Sequence, residues 1–123
     1  MVTRDFSRLY YTKGQELYCI DYAENPRLLE KAVSYICMNV SGDTLFLVKY
    51  GTGWKQSLYY TKDGRTISQV PGTDGIEHIS NVNGCVGYRE ITADGNVNTY
   101  INTRGTEFVL LQEEKIADQE ETD

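Results

Sequence analysis

The only histidine, His78, is the first residue to consider for acid–base or metal chemistry, because imidazole titrates near neutral pH. It lies in an alternating segment, residues 76–79, where it shares a face with Ile76. Catalysis by a histidine needs an orienting carboxylate and a nucleophile beside it. The sequence places neither there, so we expect a strand histidine with a backbone partner and no catalytic residues.

Aspartates beside glycines could supply oxygen ligands to a calcium or magnesium ion. A calcium loop gathers its ligands within about a dozen residues, whereas these aspartates are 11 to 20 residues apart. Aspartate next to glycine is also favoured in tight hairpin turns. We therefore expect turns, and no bound metal or cofactor, at Asp43, Asp63, Asp74 and Asp94.

The three cysteines, Cys19, Cys37 and Cys85, are odd in number and include no Cys-x-x-Cys pair. A disulfide framework or a zinc site is therefore not expected. The first eight residues lack the apolar stretch of a secretion signal, and no run of 18 apolar residues occurs. These features predict buried, reduced thiols in a cytoplasmic protein with no membrane partner.

Aromatic residues are the strongest remaining signal. The only tryptophan, Trp54, lies in the glycine-containing segment 51–55, and ten tyrosines are spread along the chain. A tryptophan at a hairpin tip can fold back onto the core or anchor a partner. Adjacent strand residues point to opposite faces, so we expect one of Tyr59 and Tyr60 to face outward. Tyrosines can also pair across strands and only stabilise a sheet.

These residues predict a partner-binding surface, which we name the Trp54 patch. Its members are Trp54, Lys55, Tyr59, Tyr60, Lys62 and Arg65. The favoured function is a non-catalytic protein-interaction module, of the kind found among small regulators, inhibitors and accessory proteins of phages and mobile elements. The alternative is a small-barrel binder that stacks a nucleotide or single-stranded nucleic acid on its aromatic rings. An enzyme using carboxylates from distant strands is the third class, and it has no motif in its favour.

The elements that must position these residues are strands. Turn signals recur every 8–12 residues or so, which is typical of an all-β sandwich or barrel. A phrase of aromatic and β-branched residues ending in a basic residue and glycine occurs in segments 9–14, 58–64 and 100–105, as expected of a strand that runs into a turn. Further strands are predicted over 15–22, 33–40, 44–50, 56–61, 65–70, 77–82, 85–92, 97–102 and 107–112.

Two segments refine this fold prediction. Leu45, Leu47, Phe46 and Val48 make both sides of one strand apolar, which predicts a central strand covered on both faces. The segment after Asn25-Pro26 has a helical apolar pattern and predicts one short helix over residues 26–33. The spacing from residue 14 to residue 67 is also typical of an SH3-like barrel.

The net charge of −6 is concentrated at the C-terminal end. Residues 112–123 contain six acidic residues and one lysine, while the rest of the chain has twelve acidic and eleven basic residues. We expect a single β-rich domain over residues 1–111 and an acidic, disordered tail over residues 112–123. A nearly neutral body disfavours tight binding to duplex nucleic acid. Exposed strand edges make a homo-oligomer an open alternative.

Overall fold

The computed structural model describes residues 1–51, 55–73, 76, 78–82 and 85–115. Within these ranges the chain forms strands and turns, and none of the described residues is helical. The prediction of a mainly β protein is therefore confirmed. The eleven strands are β1 (Arg8–Lys13), β2 (Glu16–Asp21), β3 (Arg27–Glu30), β4 (Val33–Met38), β5 (Leu45–Tyr50), β6 (Gln56–Thr61), β7 (Ser68–Gln69), β8 (His78–Val82), β9 (Cys85–Ile91), β10 (Asn96–Arg104) and β11 (Glu107–Lys115).

The strands form three antiparallel sheets, each built from consecutive strands. We name them the first sheet (β1–β2–β3), the central sheet (β4–β5–β6–β7) and the last sheet (β8–β9–β10–β11). Each neighbour in a sheet is also the neighbour in sequence. Glycines with positive φ follow the strands of all three repeated phrases, at Gly14 (63°), Gly64 (69°) and Gly105 (52°), as the sequence predicts.

The central sheet is covered on both faces, and β5 shows this most clearly. Leu45 and Leu47 belong to one buried cluster, with residues of the first sheet. Phe46 and Val48 belong to a second buried cluster, with residues of the last sheet. All four are at most 2% exposed, and burying each contributes about 1.5–3 kcal/mol. The prediction of a central strand is confirmed.

The predicted helix over residues 26–33 is wrong. Residues 27–30 are strand β3, in which Leu28 pairs with Tyr18 and Glu30 with Leu17 of β2. The pairing satisfies backbone groups and lets Leu29 pack against the cluster beneath the first sheet. Ala32 then has a positive φ of 59°, which lies outside the right-handed helical region and turns the chain into β4.

The closed, SH3-like barrel is not formed by the described residues. The first sheet ends at β1 and β3 and the central sheet at β4 and β7, with no ladder joining these edges. Strand β11 runs to Lys115, so the first four residues of the predicted acidic tail are strand. Residues 116–123 lie outside the described part. The described residues also contain no helix long and apolar enough to cross a lipid bilayer.

Candidate functional site

The structure divides the predicted Trp54 patch. Trp54 itself lies outside the described residues, and Lys55 is exposed just before β6. Tyr59 is half-buried against the cluster of the first sheet, with the Lys49 ammonium 5.3 Å from its ring centroid. Tyr60 is half-buried on the opposite face, against the cluster of the last sheet. Neither ring projects freely, because another sheet covers each face of the central sheet.

The other two residues of the patch, Lys62 and Arg65, lie where the turn after β6 meets the first sheet. Arg65 donates to Asp21 Oδ2 at 3.3 Å, and Arg8 and Arg27 each approach the same carboxylate at 3.1 Å. The Lys62 carbonyl accepts a bond from Arg8 Nη1 at 3.3 Å. The cationic side chain of Arg65 is therefore part of an ion cluster that joins two sheets.

Asp63 and Asp43 are hydrogen-bonded within their turns, while Asp94 is exposed in the turn at residues 93–95. Asp63 Oδ1 accepts the backbone N–H groups of Arg65 and Thr66, both at 2.8 Å. These bonds lower the pKa of the Asp63 carboxyl to about 2. Asp43 is held by the Asn39 amide at 2.9 Å, which lowers its pKa. Asp74 lies outside the described residues, and the described ones contain no cluster of three metal-binding side chains.

His78 is the first residue of β8 and pairs with Arg89 of β9. Its side chain lies outside the described part of the structure. The thiols of Cys19 and Cys37 are free and buried, as expected for structural cysteines. Burial raises the pKa of the Cys37 thiol to about 12, so it is protonated and unreactive at neutral pH.

An open cleft lies between the last sheet and the turn that follows β7, with a volume of about 440 Å³. Aromatic rings from β9, β10 and β11 form one side, and the turn at residues 70–72 forms the other. We name it the aromatic cleft. Its lining residues are Val70, Pro71, Gly72, Tyr88, Glu90, Tyr100, Thr106 and Phe108.

The rings of the aromatic cleft are fixed by strand register. Tyr88 and Tyr100 are directly paired across β9 and β10 and stack with centroids 5.0 Å apart at 21°. Phe108 of β11 tilts against Tyr88 at 5.2 Å and meets Phe46 of the central sheet edge-on at 5.4 Å. Aromatic pairs at these distances stabilise a sheet by about 0.5–1.5 kcal/mol beyond their burial. Tyr88, at 5% exposed, is therefore part of the core, while the partly buried Tyr100 and Phe108 supply the ring surface that is open to the cleft.

A carboxylate lies at the end of this ring surface. Glu90 follows Tyr88 by two residues on β9 and so shares its face. Glu90 Oε1 accepts a hydrogen bond from the Tyr100 hydroxyl at 3.1 Å, and Asn98 Nδ2 lies 3.4 Å away as a second donor. Burial and the neighbouring Tyr100 and Glu90 raise the pKa of Tyr88 to about 12. At neutral pH both tyrosines are therefore neutral hydroxyls. The bonds from Tyr100 and Asn98 fix the orientation of the Glu90 side chain.

A buried hydroxyl and a backbone hydrogen bond hold the facing wall of the cleft, the turn at residues 70–72. Leu58 of β6 pairs with Val48 of β5 on one side, but β7 ends at Gln69, so Leu58 has no partner strand on its other side. Thr73 is fully buried, and its Oγ1 accepts the Leu58 N–H at 3.3 Å and donates to the Val70 carbonyl at 2.7 Å. The Val70 N–H in turn donates to the Leu58 carbonyl at 2.8 Å. The turn that carries Pro71 is thus fixed to the central sheet.

A second cleft, of about 320 Å³, lies between the N-terminal segment and the turn before β5. It is lined by polar and charged residues. Several of them already bond within their own turns. Asp5 Oδ1 accepts bonds from the side chains of Ser7 and Thr3, at 2.6 and 2.8 Å. None of the described residues that line this cleft is aromatic, so it lacks the ring surface that the aromatic cleft presents.

The sequence contained a signal for the aromatic cleft that our patch prediction did not use. Both β9 and β10 are predicted strands, joined by a turn at residues 93–95. The hydrogen bond from the Thr92 N–H to the Asn96 carbonyl makes these two residues partners at the end of the hairpin. Counting residues outward from this pair then places Glu90 opposite Asn98 and Tyr88 opposite Tyr100. Hairpin register therefore identifies the tyrosine pair. The facing wall, at Val70 to Gly72, has no such local signal.

Comparison of the chain with protein-family models and with curated proteins finds no match.

Proposed function

We propose that the protein is a non-catalytic interaction module that binds another protein at the aromatic cleft. The observation that supports this is an open cavity of about 440 Å³ in which the rings of Tyr88, Tyr100 and Phe108 are preorganised. Rigid aromatic rings supply large contact area with little loss of side-chain entropy, and aromatic residues are enriched where proteins meet. The sequence also favours a protein-interaction module, but it predicts the Trp54 patch as the binding surface, whereas we propose the aromatic cleft.

The cleft chemistry supports binding rather than catalysis. The cleft carboxylate, Glu90, accepts a hydrogen bond from the Tyr100 hydroxyl. Burial and the nearby Glu90 raise the pKa of Tyr100. A hydroxyl with a raised pKa is a poor nucleophile at neutral pH. The buried thiols of Cys19 and Cys37 support a reducing compartment such as the cytoplasm as the place of action.

The alternative, stacking of a nucleotide or a single strand, has less support at this cleft. Ring stacking needs nearby cations for the phosphates, whereas among the described residues that line the cleft the charged one is Glu90. The predicted Trp54 patch remains a separate candidate for that chemistry because it includes the exposed Lys55.

A bulky substitution at the rim tests the proposal without removing any core ring. Thr106 lines the cleft, and Thr103 is an exposed residue three positions earlier in the chain. We would compare the wild type with Thr106→Trp and with the matched control Thr103→Trp. Tagged proteins are used to recover partners from the native cell, and each recovered protein is then purified and titrated by calorimetry.

We expect one partner to bind the wild type and Thr103→Trp equally and Thr106→Trp at least tenfold more weakly, while all three proteins have the same melting temperature. A tenfold change corresponds to about 1.4 kcal/mol, which is typical of losing good contacts at an interface. Equal affinity of all three proteins for every recovered partner would refute the aromatic cleft as the binding surface.

A further inference from the structure

The charge of the aromatic cleft indicates which chemical group it receives, and this inference rests on the function just proposed. Asn98 of β10 pairs with Glu90 of β9 on one side and with Glu113 of β11 on the other. Directly paired residues share a face of a sheet, so both glutamates lie on the face that carries the tyrosine pair. Lys115 lies on the same face, two residues beyond Glu113 on β11, and pairs with Asn96 of β10.

The two glutamates contribute to a raised pKa at Tyr100. Burial, the bond to Glu90 and the charges of Glu90 and Glu113 together raise the pKa of the Tyr100 hydroxyl. A neighbouring negative potential disfavours phenolate in this way and favours a cation at the same place. The open ring surface adds to this effect, because the π face of an aromatic ring carries partial negative charge.

We propose that the aromatic cleft accepts a cationic side chain, a lysine ammonium or an arginine guanidinium, from the partner protein. The aliphatic part of that side chain lies against Tyr100 and Phe108, and its charged end reaches Glu90. Rings beside a carboxylate are a recurring arrangement for binding organic cations, because the ring faces and the anion attract the same charge. Hydrogen bonds to Tyr100 and Asn98 hold the carboxylate in place before the cation arrives.

The experiment uses three capped amino acids as probes: N-acetyl-lysine methylamide, the corresponding arginine derivative, and N-acetyl-norleucine methylamide. Norleucine keeps an unbranched aliphatic chain but has no charged group. Each probe is titrated into labelled protein, and binding is followed by the NMR shifts of the ring resonances of Tyr88 and Tyr100. The variants are Glu90→Gln, which keeps an oxygen to accept the Tyr100 hydroxyl, and Glu24→Gln.

Glu24 is an exposed residue in the turn between β2 and β3, so Glu24→Gln makes the same change in net charge away from the aromatic cleft. We expect the lysine and arginine probes to shift the tyrosine resonances and norleucine to bind at least tenfold more weakly. Glu90→Gln should weaken lysine binding about tenfold, or about 1.4 kcal/mol. Glu24→Gln should bind like the wild type.

Three results would overturn the inference: norleucine binding as well as lysine, equal lysine affinity in Glu90→Gln and the wild type, or no shift of the tyrosine resonances with either cation. None of these results would refute the proposed function, which is tested separately. The Thr106→Trp experiment measures partner binding at the aromatic cleft, and it does so whichever side chain the partner inserts. A partner that binds Thr106→Trp normally would instead refute the cleft as the interface.

Discussion

Replacing Thr73 by valine should destabilise the protein strongly, although the two side chains have almost the same shape. The Thr73 hydroxyl is fully buried and serves both the Leu58 N–H and the Val70 carbonyl. Valine leaves these two backbone groups without that partner, at about 1–3 kcal/mol each. The additional buried methyl group offsets about 1 kcal/mol. We therefore expect the free energy of unfolding to fall by about 1–5 kcal/mol.

Urea denaturation followed by circular dichroism measures this change, as a lower midpoint at an unchanged slope. In thermal unfolding, a loss of about 4 °C per kcal/mol is expected for a chain of this size, or about 4–20 °C in total. Thr73→Ser is the matched control. It keeps the hydroxyl and removes one methyl group, so it should cost only about 1 kcal/mol.

The reasoning fails if Thr73→Val melts within 2 °C or so of the wild type, or if Thr73→Ser is the less stable of the two. Either result would mean that the methyl group, and not the hydroxyl, holds the turn. Because Val70, Pro71 and Gly72 line the aromatic cleft, Thr73→Val should also weaken partner binding under conditions in which the variant is still folded.

Two further predictions concern turns. Gly64→Ala should be more destabilising than Gly14→Ala, since both glycines have positive φ but only at Gly64 would the new Cβ lie 2.7 Å from an arginine side chain; urea midpoints measure this, and equal losses would contradict it. Asp63→Asn should lower the melting temperature above pH 4 but not near pH 2. The folded-state pKa of Asp63 is depressed from 3.8 to about 2, so its charge stabilises the fold above pH 3.8 and this contribution disappears as pH falls through 2. A gap between the two melting temperatures that stays constant from pH 7 to pH 2 would contradict this assignment.

Those parts of the fold that local pattern determines could be predicted from the sequence. Four consecutive apolar residues leave β5 no solvent-facing side, so its central position follows from residues 45–48 alone. The positive-φ glycines after β1 and β10 follow from the repeated phrase in the same way. In both cases a residue type and its neighbours are enough, because the constraint is local.

The segment at residues 26–33 shows where local pattern fails. Leu28 and Leu29 satisfy a helical stripe and a short strand equally well, and pairing with β2 decides between them. The position of the aromatic cleft has the same origin. Tyr88 and Tyr100 meet through hairpin register, but Pro71 lies near them because Thr73 and Val70 bond its turn to β6. Contacts between segments that are distant in sequence cannot be predicted from the residue pattern of either segment alone.

The order of the sheets along the chain has a consequence for synthesis on the ribosome. The first and central sheets are complete by residue 69, but Phe46 and Val48 are covered only when residues 86–108 have emerged. At about 5–20 residues per second, this interval of about 40 residues lasts about 2–8 s. During that time the nascent chain presents a finished sheet with one bare apolar face, which is the kind of surface that holdase chaperones recognise.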